Sequence, residues 1–71
     1  FKMSKGSIKN NIRMLRFQHG EMTQQALADK LNVSRQTIIA IEKSKYSPSL
    51  ELAFQIAQVF DKGINEIFSY E

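Results

Sequence analysis

Between Thr23 and Lys43 the apolar residues fall into two short helical stripes. Leu27, Ala28 and Leu31 share one face of a helix predicted over Thr23–Leu31. Ile38 and Ile41 share one face of a second, predicted over Ser34–Lys43. Thr23 and Ser34 stand just ahead of these stripes, and both are residue types whose side-chain oxygen satisfies the free amides of a helix start. Asn32 lies between the two segments and tolerates the left-handed backbone that ends a helix. Val33 follows it as an apolar plug. The pattern predicts two helices joined by a tight turn.

The second helix has two unlike faces. At about 100° per residue from Ser34, Ile38 and Ile41 sit at roughly 40° and 340°. Arg35, Gln36, Ile39, Ala40 and Lys43 spread over the opposite arc, from roughly 100° to 240°. One face is core. The other carries a guanidinium, a carboxamide, an ammonium, a branched apolar group and a small one. These groups match the edges of bases in a DNA major groove, where Arg pairs with guanine, Gln with adenine, and apolar groups touch a thymine methyl.

The remaining periodicity predicts three more helices. Ile8, Ile12 and Leu15 make a stripe for a first helix from Ser7 to His19, ended by Gly20. Phe17 lies off that stripe. The link His19–Met22 leads into the second helix, and its lone histidine has no partner for a metal or a catalytic dyad, so it reads as a solvated loop residue. After the third helix, Ser44–Ser49 contains Pro48, which cannot continue a helix. Ser49 caps a fourth helix, Leu50–Phe60, whose inward face is Leu52, Ala53, Ile56, Ala57 and Phe60. Asp61–Gly63 turns the chain into a short fifth helix, Ile64–Phe68. Ahead of all this, residues 1–6 show no periodicity and read as a flexible arm, with Met3 a candidate start behind Phe1 and Lys2. A basic arm of this kind either stays solvated or touches phosphate. Residues 7–71 read as one domain.

Composition narrows the function. A chain of 71 residues allows one modest core and no roomy cleft walled by its own residues. There is no Cys, so neither a disulfide framework nor a thiolate metal site is available. No apolar run approaches the ~18 residues of a membrane span, and no signal peptide is visible, so a cytoplasmic protein is expected. There is no Gly-rich phosphate loop, no paired-acid constellation and no nucleophile with a base. Enzyme activity, a metal, a cofactor and a small-molecule ligand are therefore not expected. The net charge of +3 is unevenly spread. Through Lys45 there are nine basic and three acidic residues, a net of +6; from Tyr46 onward one basic residue stands against four acidic ones, a net of −3. Such asymmetry suits a protein that lays one side on a polyanion.

The stretch Thr23–Lys43 resembles the lambda-repressor/Cro-like (XRE) family of helix-turn-helix DNA-binding domains. Gln24 and Ala28, the buried set Leu27, Leu31, Val33, Ile38 and Ile41, the run SRQTI at Ser34–Ile38 and the run IEK at Ile41–Lys43 carry the likeness. It extends back through IRMLR (Ile12–Arg16) and forward through KYSPSLELA (Lys45–Ala53). The resemblance implies an all-α, compact five-helix domain that binds double-stranded DNA and regulates transcription, with the third helix in the major groove. It implies base contacts from Arg35, Gln36, Ile39 and Ala40. It implies backbone contacts from Gln24, Thr37, Lys43, Lys45 and Tyr46, with packing under Pro48 an equal reading for the Tyr46 ring. It implies an ion pair between Arg16 and Glu42 that clamps the first helix to the third. Surplus apolar residues toward the C-terminus, Phe54, Val59, Ile67, Phe68 and Tyr70, suggest a two-fold homodimer, the other reading being that they complete a single core, with Ile67 and Phe68 turned inward. In that arrangement repression by occlusion of polymerase is the simplest mechanism. The rival from another class is a protein-binding module, an antitoxin or adaptor on the same fold. The donor-rich outer face of the third helix argues against it, and Ile39 on that face argues mildly for it. RNA binding is disfavoured because no aromatic platform is evident.

Overall fold

The computed structural model describes residues 6–71. The chain forms β1 (Ile8–Asn10), α1 (Ile12–Gln18), α2 (Gln24–Leu31), α3 (Arg35–Glu42), α4 (Leu50–Phe60), α5 (Ile64–Ile67) and β2 (Phe68–Tyr70). The described residues thus hold five helices and a two-stranded antiparallel ribbon in which Ile8 faces Tyr70, Lys9 faces Ser69 and Asn10 faces Phe68.

Local chemistry sets the helix limits. Thr23, Ser34 and Ser49 each cap a helix by accepting a main-chain N–H, from Ala26, Thr37 and Leu52 respectively. Three helices end alike. The residue after α2 is Asn32 at φ 59°, and its N–H and that of Val33 return to the carbonyls of Asp29 and Ala28. Asp61 at φ 53° closes α4 in the same way. Beyond α3, Ser44 at φ 61° takes the left-handed position, its N–H bonded to Ile41 and that of Lys45 to Ala40. These paired returns satisfy carbonyls that a helix end would otherwise strand.

The core gathers one stripe from each helix. Ile12, Leu15, Leu27, Ala28, Leu31, Ile38, Ile41, Ile56, Ala57, Phe60 and Ile67 form one buried cluster, with Met22, Val33, Leu52, Val59 and Phe68 packed on its margin. The stripes predicted for α2, α3 and α4 are those that go inward.

Four expectations need correction. The fold is not purely helical, because Ser7–Asn10 is extended and α1 starts at Ile12. Ile8 and Ile12, four residues apart, mimic a helical stripe. The extended form wins because Phe68–Tyr70 offers a partner: Ser7 and Glu71 exchange N–H···O bonds at 2.8 and 3.0 Å, and Asn11 N–H bonds Ile67 at 3.1 Å. Asn10 and Asn11 are in any case weak helix formers. The fifth helix stops at Ile67 for the same reason, since Phe68 already belongs to the ribbon. The arm expected over residues 1–6 has its first five residues outside the described part. Gly6 belongs to the fold, for a Cβ there would lie 2.7 Å from the Glu71 carbonyl oxygen and 2.8 Å from the Tyr70 ring. His19 is exposed but not merely solvated. Its Nδ1 lies 2.9 Å from the Leu15 carbonyl oxygen, and its ring meets the Phe60 ring edge-on at 5.1 Å.

Candidate nucleic-acid interface

The Ser34 cap and the Schellman-type end at Ser44 make α3 a short rigid rod, and burial of Ile38 and Ile41 fixes which way it faces. Arg35, Gln36 and Lys43 then stand exposed on the opposite side, with Ile39 and Ala40 half-buried between them. The side chains expected to reach base edges therefore share one outward face. Ile39 sits low on that face and also lines the neighbouring groove.

That groove is the concavity between α1, α2 and α3. Arg16 and Glu42 lie in it side by side: Arg16 Nε donates to Glu42 Oε2 at 2.6 Å and a terminal nitrogen donates to Oε1 at 3.0 Å. The geometry is the two-pronged match of guanidinium to carboxylate. Arg16 also donates to the Met22 carbonyl at 2.8 Å. Gln24 Nε2 donates to Glu42 Oε1 at 3.1 Å. The carboxylate at the end of α3 is thus held by α1 and α2 together. Because the Gln24 amide is engaged with Glu42, its side chain buttresses α3. Its main-chain N–H, at the open start of α2, is the part of Gln24 oriented for an anion.

The remaining expected contacts lie around this centre. Thr37 is half-buried, with its hydroxyl 3.0 Å from that of the Ser34 cap. Lys45 is exposed just past the left-handed Ser44, and Tyr46 is half-exposed in the same loop. Arg13 was not among the expected contacts, yet it lines the groove beside Arg16, Arg35 and Lys43. Its spacing of three from Arg16 on one helix was the available signal. Glu42 neutralises Arg16, and among the described residues no ion pair involves the other cations of the groove, Arg13, Arg35 and Lys43. Lys45 adds a further exposed cation two residues past Lys43.

The expected dimer set divides. Ile67 is only 2% exposed and belongs to the core, so it presents nothing to a second chain. Val59 and Phe68 are half-buried against that core. Phe54 and Tyr70 are exposed. Leu50, absent from the expectation, is the most exposed large apolar residue among the described residues, at 70%. It stands one turn from Phe54, beside a shallow uncharged groove lined by Ile8, Pro48, Ala53, Ile64 and Phe68. For Ile67 the inward reading holds and the dimer-seam reading does not; its helix is one turn long, too short for periodicity to choose between them.

Comparisons with known proteins agree with this geometry. A family model described as helix-turn-helix matches residues 12–67. An uncharacterised HTH-type transcriptional regulator of Methanocaldococcus jannaschii is 58% identical over 64 residues, covering 90% of this chain and 96% of the relative. Another from Archaeoglobus fulgidus is 45% identical over 64 residues, covering 90% of each chain. Among solved structures, the transcriptional regulator VanUg superposes with a TM-score of 0.77 at 15% identity, over 100% of this chain and 93% of that one. At that identity the likeness is one of fold.

Proposed function

The chain belongs to the XRE-type helix-turn-helix family of DNA-binding transcriptional regulators, which are not enzymes, and from that premise we propose that it represses transcription by binding a palindromic operator as a homodimer. The observation that carries this reading is the polar outer face of α3, with Arg35, Gln36 and Lys43 exposed and the helix anchored from behind by the Arg16–Glu42 pair. In this reading Arg35 and Gln36 pair with base edges, and Ile39 and Ala40 meet thymine methyls or leave room for them. Lys43, Lys45, Tyr46, Thr37 and the start of α2 at Gln24 hold phosphates. Arg13 joins them from α1.

A two-fold mate fits the apolar surface of Leu50 and Phe54 and the uncharged groove that Leu50 lines. The patch carries both a protruding aromatic ring and a depression, so two copies can be mutually complementary across a two-fold axis. It borders the Ser47–Pro48 segment that follows α3, and in this reading the two-fold axis sets both recognition helices on one side of the dimer. Two helices one DNA turn apart, about 34 Å, then read a symmetric site. Occupancy of a promoter by such a dimer blocks polymerase without an activating surface. The setting for this activity is the cytoplasm, and no helix among the described residues is long and apolar enough to cross a membrane.

The test is selection from a random duplex pool at about 0.15 M salt, where nonspecific binding is weak. Recovery of a palindrome is expected, with half-site centres about one turn apart. A single unrepeated motif would refute the dimer. No enrichment from demonstrably folded protein would refute DNA recognition and leave the protein-binding module as the better reading.

A further inference from the structure

The last turn of α3 is held at two adjacent residues by different means. Glu42 is held by its side chain. Ile41 is held by its main chain: its carbonyl oxygen accepts from Ser44 N–H at 2.9 Å and from Asn10 Nδ2 at 2.8 Å, across 31 residues of sequence. The same carboxamide accepts, at Oδ1, the N–H of Ile12 at 3.1 Å, where α1 begins. An N–H can only donate and a carbonyl can only accept. The side chain at position 10 must therefore present one acceptor and one donor on a short planar group, which among residues of that size is Asn alone. Its amide orientation is fixed by the same logic.

The main chain of Asn10 is in turn fixed by the ribbon. Ser7 and Glu71 exchange both of their bonds, so by the alternation of antiparallel ladders Lys9 and Ser69 form the next bonded pair. The ribbon, the start of α1 and the end of α3 thus converge on one carboxamide. Just beyond it lies the left-handed Ser44 that aims Lys45 and Tyr46.

We propose that Asn10 is a positioning residue for the recognition helix, and that pairing of β1 with β2 governs DNA discrimination through it, although the ribbon contains none of the residues assigned to DNA. This rests on the DNA-binding reading above. A structural prop that merely kept the protein folded would affect all duplexes equally. A positioning residue affects base readout, which needs α3 at a fixed pitch, more than phosphate attraction, which does not.

The experiment measures affinity of the full chain for its selected duplex and for a mixed-sequence duplex, under conditions where circular dichroism shows each variant folded. Asn10→Leu keeps the shape of the side chain and removes both hydrogen bonds. Ser69→Pro deletes the N–H that bonds Lys9 and opens the ribbon without touching Asn10. Each is expected to lower the ratio of specific to nonspecific affinity at least fivefold, with the salt slope unchanged, and the double variant is expected to fall no further than the larger single effect. Equal loss on both duplexes, or an unchanged ratio in Asn10→Leu, overturns the role of Asn10. An unchanged ratio in Ser69→Pro alone overturns the role of the ribbon. If Asn10→Leu fails to fold, Asn10→Asp, which keeps the acceptor for Ile12 N–H and loses the donor to Ile41, takes its place with the same two outcomes. Absence of any sequence preference in the unaltered protein is a different result, and it refutes the DNA-binding reading instead.

Discussion

Glu42→Ala should leave a charge stranded. The side chains of Arg16 and Glu42 are 13% and 9% exposed, and the carboxylate takes two bonds from Arg16 and one from Gln24. Removing one partner of a fully buried pair costs about 3–5 kcal/mol, chiefly because the other charge loses its compensation. Here both groups keep slight contact with water, and Arg16 keeps its bond to the Met22 carbonyl. The expected loss is therefore about 2–3 kcal/mol. A 71-residue domain has roughly 4–10 kcal/mol of stability in all, so thermal unfolding should move down by about 10–20 °C. The double variant R16M/E42L removes both charges and fills the same space, and it should lie within about 1 kcal/mol of the unaltered protein. It should nonetheless bind the selected duplex more weakly, because two apolar side chains do not fix the rotation of α3 as a two-pronged ion pair does. Thermal and urea unfolding followed by circular dichroism give the energies, and titration with labelled duplex gives the affinity. If E42A shifts the midpoint by less than about 3 °C, less than a kcal/mol is at stake and the desolvation argument fails. If the double variant falls as far as the sum of the singles, the pair stabilises the fold outright, and its role is not chiefly one of orientation.

Gln36→Ala should cost about 1–3 kcal/mol at one base position of the operator and leave nonspecific binding nearly intact; a uniform loss over all duplexes would displace Gln36 from the base edge. Lys45→Ala and Arg13→Ala should each lower affinity for every sequence and reduce the slope of log K against log salt by about 0.9 per bound subunit, about 1.8 for the dimer, and an unchanged slope removes that residue from the interface. Phe54→Asp should give a folded monomer in sedimentation with half-site affinity retained; a persistent dimer would place the two-fold elsewhere. Ser44→Gly should relieve the left-handed backbone at φ 61° and raise stability by about 0.5 kcal/mol, since relief of about 1–2 kcal/mol is partly offset by the greater freedom of Gly in the unfolded chain. A lowered melting temperature would show that the Ser44 side chain has a role of its own.

Much of this protein is legible in the chain itself. The caps at Thr23, Ser34 and Ser49, the left-handed Asn32 and the inward stripes of α2, α3 and α4 depend on residues a few positions apart, and local spacing captures them. The face of α3 that carries Arg35 and Gln36 follows from burying Ile38 and Ile41. The Arg16–Glu42 pair, 26 residues apart, was accessible only through likeness to a family.

Tertiary structure alone decided the rest, because those features depend on partners remote in sequence. Ile8 stands at a helical spacing from Ile12, yet Ile8–Asn10 becomes a strand because Phe68–Tyr70 comes alongside, and strand pairing has no local signature when each partner is three residues long. Ile67 goes into the core because the ribbon draws α5 inward. Arg13 joins the groove because Arg16, one turn further along α1, is paired with Glu42 of α3. Asn10 passed as one more helical residue, since nothing near it in sequence announces a bond to Ile41. Periodicity tells a residue which side of its own element it occupies. What faces that side is decided only when the elements pack.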